Sequence, residues 1–183
     1  MHTFLFADLV GFTALSIEQG DERAAEVATR FQREVRARAV RHGATVVKSL
    51  GDGAMVRAGD AGEAVHLGLE LASGLDGLPP VRVGLNTGPA VERDGDFFGS
   101  TVNLAARLSQ AAGGGEVLLT AATRAAARRR GTRLEQRGER TFRNARDPVV
   151  VYAASERPPL RTRLLAAKRR FVCPHMAART KAA

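Results

Sequence analysis

The 183-residue chain predicts an α+β domain with a ferredoxin-like βαββαβ core, extended toward its C-terminus by further strands and a helix. Three observations lead there. Thr3-Phe4-Leu5-Phe6-Ala7 is an apolar run stopped by Asp8, the pattern of a buried strand. Within residues 21–42, Val27, Phe31 and Val35 recur every fourth position on one helical face. Val81, Val83 and Leu85 alternate with Arg82, Gly84 and Asn86, the pattern of a half-buried strand.

The remaining elements follow in order. Gly11-Phe12-Thr13 turns the chain from the first strand into a helix, and Gly43 stops the helix of residues 21–42. Residues 44–48 and 54–56 flank Gly51-Asp52-Gly53, which predicts a hairpin beside the first strand at the sheet centre. Residues 61–74 suit a second helix and 101–112 a third, which ends before Gly113-Gly114-Gly115. Residues 116–120 read as a strand, 121–130 as a short helix and 132–154 as closing strands.

One domain of this length holds a core without disulfides. Cys173 is the single cysteine, so no internal disulfide forms, and a reducing compartment fits. Apolar residues at 44% and charged residues at 26% have the balance of a soluble globular protein. No stretch reaches the roughly 20 apolar residues of a membrane helix. The N-terminal run is short, has no basic leader and meets Asp8, so it is not read as a signal peptide. These features predict a cytoplasmic protein.

The formal charge of +9 invites a nucleic-acid reading. Its distribution argues otherwise. Residues 157–183 contain eight basic residues and no acid, so the rest of the chain is nearly neutral. Sheet-based RNA readers need exposed aromatics, whereas Phe4 and Phe6 lie in a buried-type run and the chain has no Trp. The chain therefore divides into a domain over residues 1–155 and a basic tail over 156–183, partly disordered, with one helix in 160–172. The tail suits a regulator or an anionic surface. Cys173-Pro174-His175-Met176 is a weak soft-metal pattern, and His42 and His66 read as structural or exposed.

Two acids stand out. Asp8 ends a strand and Asp52 sits at a hairpin tip, so the predicted fold brings both to one sheet edge. Adjacent hard oxygen ligands suit Mg²⁺ or Mn²⁺. Alone, Asp52 reads equally well as a turn former and Asp8 as a helix N-cap. Gly11, just before a helix, offers free N–H groups to a phosphate. Asn103 and Arg107 lie four apart and share a helix face, which alone suits a solvated polar surface. Asp96 precedes that helix, and Lys48 leads into the Asp52 turn.

Three segments then resemble one family in order and separation. Phe6-Ala7-Asp8-Leu9-Val10-Gly11-Phe12-Thr13 resembles the opening motif of class III adenylyl and guanylyl cyclase catalytic domains. Lys48-Ser49-Leu50-Gly51-Asp52 resembles the second motif, and the segment from Asp96-Phe97-Phe98-Gly99 through Asn103 to Arg107 resembles the third. The resemblance spans residues 3–154 and implies the nucleotidyl cyclase fold. It implies that ATP is converted to 3′,5′-cyclic AMP and pyrophosphate. It implies two divalent cations per site, Mg²⁺ or Mn²⁺, held by Asp8 and Asp52. Gly11, Phe12 and Thr13 then bind phosphate, Asn103 orients the ribose and Arg107 stabilises the transition state. Lys48 and Asp96 read adenine. The two residue sets come from different chains, so a homodimer with shared sites is implied. The chain departs from the family at Pro89, where many animal members have arginine, and at Arg143, which stands where a triphosphate-binding lysine is common. Arg143 is a phosphate contact by that position. A catalytically silent module that binds nucleotide or a partner is the alternative reading.

Overall fold

The computed structural model describes residues 1–127, 132–143 and 147–156. The tail beyond Glu156, with its expected helix and the Cys173–Met176 pattern, lies outside the described residues.

The chain opens with strand β1 (His2–Leu9), whose alternation serves two layers. Leu5, Ala7 and Leu9 pack into one core with Phe31 and Val35 of helix α2 (Asp21–Arg41) and Leu67 and Leu71 of helix α3 (Ala61–Ala72). Phe4 and Phe6 point the other way, against Val102 and Ala105 of helix α4 (Ser100–Ala111). On α2 the buried residues Ala24, Val27, Phe31, Val35 and Ala39 trace the stripe that the sequence predicts. The Asp60 side chain caps α3, accepting the Glu63 N–H at 2.8 Å.

A seven-stranded sheet lies between these layers in the order β2-β3-β1-β4-β7-β9-β8. It comprises β2 (Ala44–Leu50), β3 (Gly53–Ala58), β4 (Val81–Gly88), β7 (Val117–Thr120), β8 (Thr132–Arg140) and β9 (Val149–Glu156) besides β1. The first four strands are mutually antiparallel neighbours, which is the expected split βαββαβ core. The expected C-terminal additions are β7, the short helix α5 (Ala121–Ala126), β8 and β9, with β7 parallel to β4.

Three features differ from the sequence reading. The β2–β3 hairpin is the edge of the sheet, with β2 outermost, because the later strands extend the sheet only beyond β4. Residues Phe12–Gln19 form a separate helix α1, since Gly20 at φ +84 breaks the path into α2. The link from Thr87 to Asp96 contains a small hairpin, β5 (Val91–Arg93) and β6 (Asp96–Phe98), turned through Asp94 and Gly95.

Strand β4 is the bed of α4. Its residues Arg82, Gly84, Asn86 and Gly88 share the face on which α4 lies. A Cβ on Gly84 would sit 2.1 Å from the Ser109 backbone nitrogen, so only glycine lets the helix approach this closely. Asn86 is buried; its amide donates to the Thr101 carbonyl at 3.1 Å and accepts the Thr120 hydroxyl at 2.8 Å. Together these contacts fix α4 along its length.

Candidate active site

Asp8 stands near the end of β1, directly opposite Gly53 in β3 and Arg82 in β4. A Cβ at Gly53 would lie 3.2 Å from Asp8 Oδ1, so the glycine leaves that oxygen room. Asp52 occupies the β2–β3 turn beside it, and its carbonyl accepts the Leu9 N–H at 3.1 Å. The Asp52 carboxyl is pushed above the usual carboxylate range, first by burial and second by the charge of Asp8. A hydrogen bond to its own backbone N–H and the Arg82 guanidinium oppose that shift.

Arg82 is the site residue that the sequence reading missed. Its Nε donates to Asp8 Oδ2 at 2.8 Å, and its Nη2 reaches the same oxygen. A second arm of the guanidinium lies 3.5 Å from the Gln110 carbonyl at the end of α4. The available signal was a cation at a polar position of a strand, opposite an acid on the neighbouring strand.

The donor set of this corner is two carboxylates with nearby backbone carbonyls. Among the described residues no group of three or more His, Cys, Asp or Glu side chains converges as a metal cage. Two hard anionic oxygens in mutual repulsion fit oxygen-seeking divalent cations and not a soft or tetrahedral site.

A second pair lies apart from the first. Lys48 Nζ donates to Asp96 Oδ2 at 2.6 Å, while Asp96 Oδ1 accepts the Phe97 N–H at 2.8 Å. Those bonds, the lysine's first, hold the Asp96 carboxyl below the usual range. Phe97 anchors the hairpin, with its ring 5.4 Å from Phe4, 5.7 Å from His2 and under Arg57 at 5.6 Å. Lys48 lies opposite Met55, which pairs with Phe6. Its Cα is therefore two strand spacings and two residues from Asp8, roughly 12 Å.

Asn103 and Arg107 share the outward side of α4, with Asn103 exposed and Arg107 half-buried. No partner for the Arg107 guanidinium occurs among the described residues. Gly11 at φ +79 starts α1 without a side-chain cap, so the first N–H groups, including those of Phe12 and Thr13, have no partner among the described residues. Arg143 is exposed just beyond β8, across β4, β7 and β9 from Asp8. One chain thus brings Asp8, Asp52 and the Gly11 turn together, and pairs Lys48 with Asp96. It does not bring these groups, Arg107 and Arg143 to one point.

The sequence and the shape both have relatives. The chain is 39% identical over 110 residues to an adenylate cyclase of Streptomyces coelicolor, covering 58% of this chain and 29% of that protein. It is 36% identical over 122 residues to the pH-sensitive adenylate cyclase MT1302 of Mycobacterium tuberculosis, covering 63% and 30%. The chain thus spans about three tenths of the length of these relatives. In structure it is similar to the adenylyl cyclase CyaB from P. aeruginosa, with TM-score 0.75 and 26% identity over 86% of this chain and 95% of that one. It is similar to the guanylyl cyclase Cya2, with TM-score 0.72 and 26% identity over 87% and 93%. These neighbours have the nucleotidyl cyclase fold, and so does this chain. The family described as adenylate and guanylate cyclase catalytic domain matches residues 2–155. With its strand order, paired aspartates and three ordered motifs inside that match, the chain belongs to the adenylate and guanylate cyclase catalytic domain family.

Proposed function

We propose that the chain converts ATP to 3′,5′-cyclic AMP and pyrophosphate in a homodimer that shares two sites. The observation that carries the substrate is the Lys48–Asp96 pair at 2.6 Å. It sets one donor beside one acceptor at a half-exposed position. Adenine offers an acceptor at N1 and a donor at its 6-amino group, so it satisfies both, whereas guanine presents the reverse. The likeness to an adenylyl and a guanylyl cyclase structure is equal at 26% identity, so shape alone does not choose the base.

Asp8 and Asp52 hold two divalent cations, which supply Lewis acidity to the ribose 3′-hydroxyl and the triphosphate. The N–H groups at Gly11, Phe12 and Thr13 receive phosphate oxygens at the start of α1. Arg82 lies within reach of the same charge. From the partner, Asn103 aligns the ribose so that its 3′-oxygen faces the α-phosphorus. Arg107 offers its fork to the charge that grows there, and Arg143 adds a cation for the triphosphate. The new bond joins O3′ to the α-phosphorus, the bond to pyrophosphate breaks and the hydroxyl proton leaves to solvent. Lys48 and Asp96 exclude the wrong base.

The assay is cyclic AMP formation from ATP with Mn²⁺ or Mg²⁺ across protein concentrations. Two inactive variants test the shared site. Asp52→Asn and Arg107→Ala each lose activity, and mixing them in equal amounts restores about a quarter of the parent rate, because half the dimers hold one intact site. No recovery on mixing rejects the shared arrangement. No product from the parent leaves a module that binds nucleotide without turnover. For base choice, Lys48→Glu with Asp96→Ser is expected to move the ATP-to-GTP preference at least about tenfold toward GTP. An unmoved ratio removes these two residues as readers.

A further inference from the structure

We propose that Gln32, on the outer helix α2, is a positioning residue for Asp52. The proposal rests on the reading of Asp8 and Asp52 as the metal-binding pair. Gln32 Nε2 donates to the Gly51 carbonyl at 2.9 Å. Its helix is a rigid support, because Phe31 and Val35 on either side of it are fully buried.

The bond falls on the one peptide that decides where Asp52 points. Gly51 and Asp52 are the central residues of the β2–β3 turn, with Leu50 paired to Gly53. Gly51 has φ +64. Asp94 is the only non-glycine residue with positive φ among the described residues, so Asp52 keeps a negative φ. Positive then negative is the signature of a II′ turn. The Asp94–Gly95 turn of the other hairpin has φ +50 and +77, which is the I′ pattern. The two types differ by a flip of the central peptide, whose oxygen in the first hairpin belongs to Gly51.

A flip there would give Asp52 a positive φ, a conformation that Asp tolerates better than most residues. Its carboxylate would then turn away from Asp8. Repulsion between the two carboxylates drives in that direction. Gln32 holds the oxygen that must move, and the Leu9 N–H holds the next carbonyl of the turn. Because the contact acts through the turn peptide, its effect falls on cation affinity and not on the chemical step.

The test is Mn²⁺ binding by the full chain without nucleotide, since a triphosphate itself chelates the ion, read from the paramagnetic resonance signal of free Mn²⁺. Gln32→Met keeps length and removes the donor, and is expected to weaken Mn²⁺ binding about fivefold, in line with one lost hydrogen bond. Gln32→Lys returns a donor and restores binding to within about twofold. Turnover of Gln32→Met at saturating Mn²⁺ stays near that of the parent, and so does its melting temperature. Parent-like Mn²⁺ binding in Gln32→Met overturns the proposal, as does a failure of Gln32→Lys to restore it or a large fall in melting temperature. Asp52→Asn separates the two levels. If it binds Mn²⁺ as the parent does, the metal reading itself fails. If it loses binding while Gln32→Met does not, only the role of Gln32 fails.

Discussion

Asp52→Asn is expected to lower cyclic AMP formation by about 10³-fold, the loss of several kcal/mol of transition-state stabilisation, while raising the melting temperature of the metal-free protein at neutral pH. The two effects share one cause. Burial and the neighbouring Asp8 charge hold the Asp52 carboxyl above its ordinary range. An acid with a raised folded-state value stabilises the fold below its unfolded value, and that contribution disappears as pH rises through the folded value. At neutral pH the carboxylate is therefore a strain on the metal-free fold, and asparagine removes it. Protons and cations compete for the same oxygens, so acidification is expected to weaken cation binding. Melting curves with a chelator between acid and neutral pH check the sign. The stability of the parent relative to the variant falls as pH rises through this range. A variant that melts below the parent at pH 7, or that keeps a tenth of its activity, rejects the assignment. Asp8→Asn contrasts with it, since it leaves Arg82 without its anion and is expected to melt lower.

Gly84→Ala is expected to cost about 3 kcal/mol or more of folding stability. The added methyl would lie 2.1 Å from the Ser109 nitrogen, 2.4 Å from the Ala105 oxygen and 2.6 Å from the Leu108 carbonyl carbon. All three are backbone atoms of α4, so no rotamer relieves the clash, and the helix must lift from the sheet. Asn103 and Arg107 move with it, and a misplacement of about 1 Å costs on the order of 10²-fold in rate. Gly59→Ala is the control, because nothing lies within 4 Å of its added Cβ. Urea unfolding of both variants decides the matter, and a Gly84→Ala protein within about 1 kcal/mol of the parent rejects the tight docking.

Much of the fold was legible because its signals are periodic. The stripe from Val27 to Val35 and the alternation from Val81 to Asn86 each point to a single burial pattern. The paired aspartates were legible too, since a strand end and a hairpin tip on neighbouring strands converge whatever the sheet order. The rest needed distant partners. The β2–β3 hairpin is an edge because strands some sixty or more residues later extend the sheet on the opposite side, which nothing within residues 44–56 encodes. The β5–β6 hairpin is three residues a side, too short for alternation to register, although its Asp-Gly turn was a visible signal. Arg82 read as the solvated side of a half-buried strand. Only the register that sets it opposite Asp8 gives it a partner.

The partnership of Arg82 with Asp8 bears on how cations enter this corner. One Asp8 oxygen already accepts from the Arg82 guanidinium. On the two-cation reading, loading the site is an exchange of one positive charge for others and not the filling of a void. Because the core is built from apolar side chains, chelation is expected to leave the fold intact, unlike small domains whose metal is their fold. On the same reading, added Mn²⁺ or Mg²⁺ is expected to restore activity after chelation without refolding.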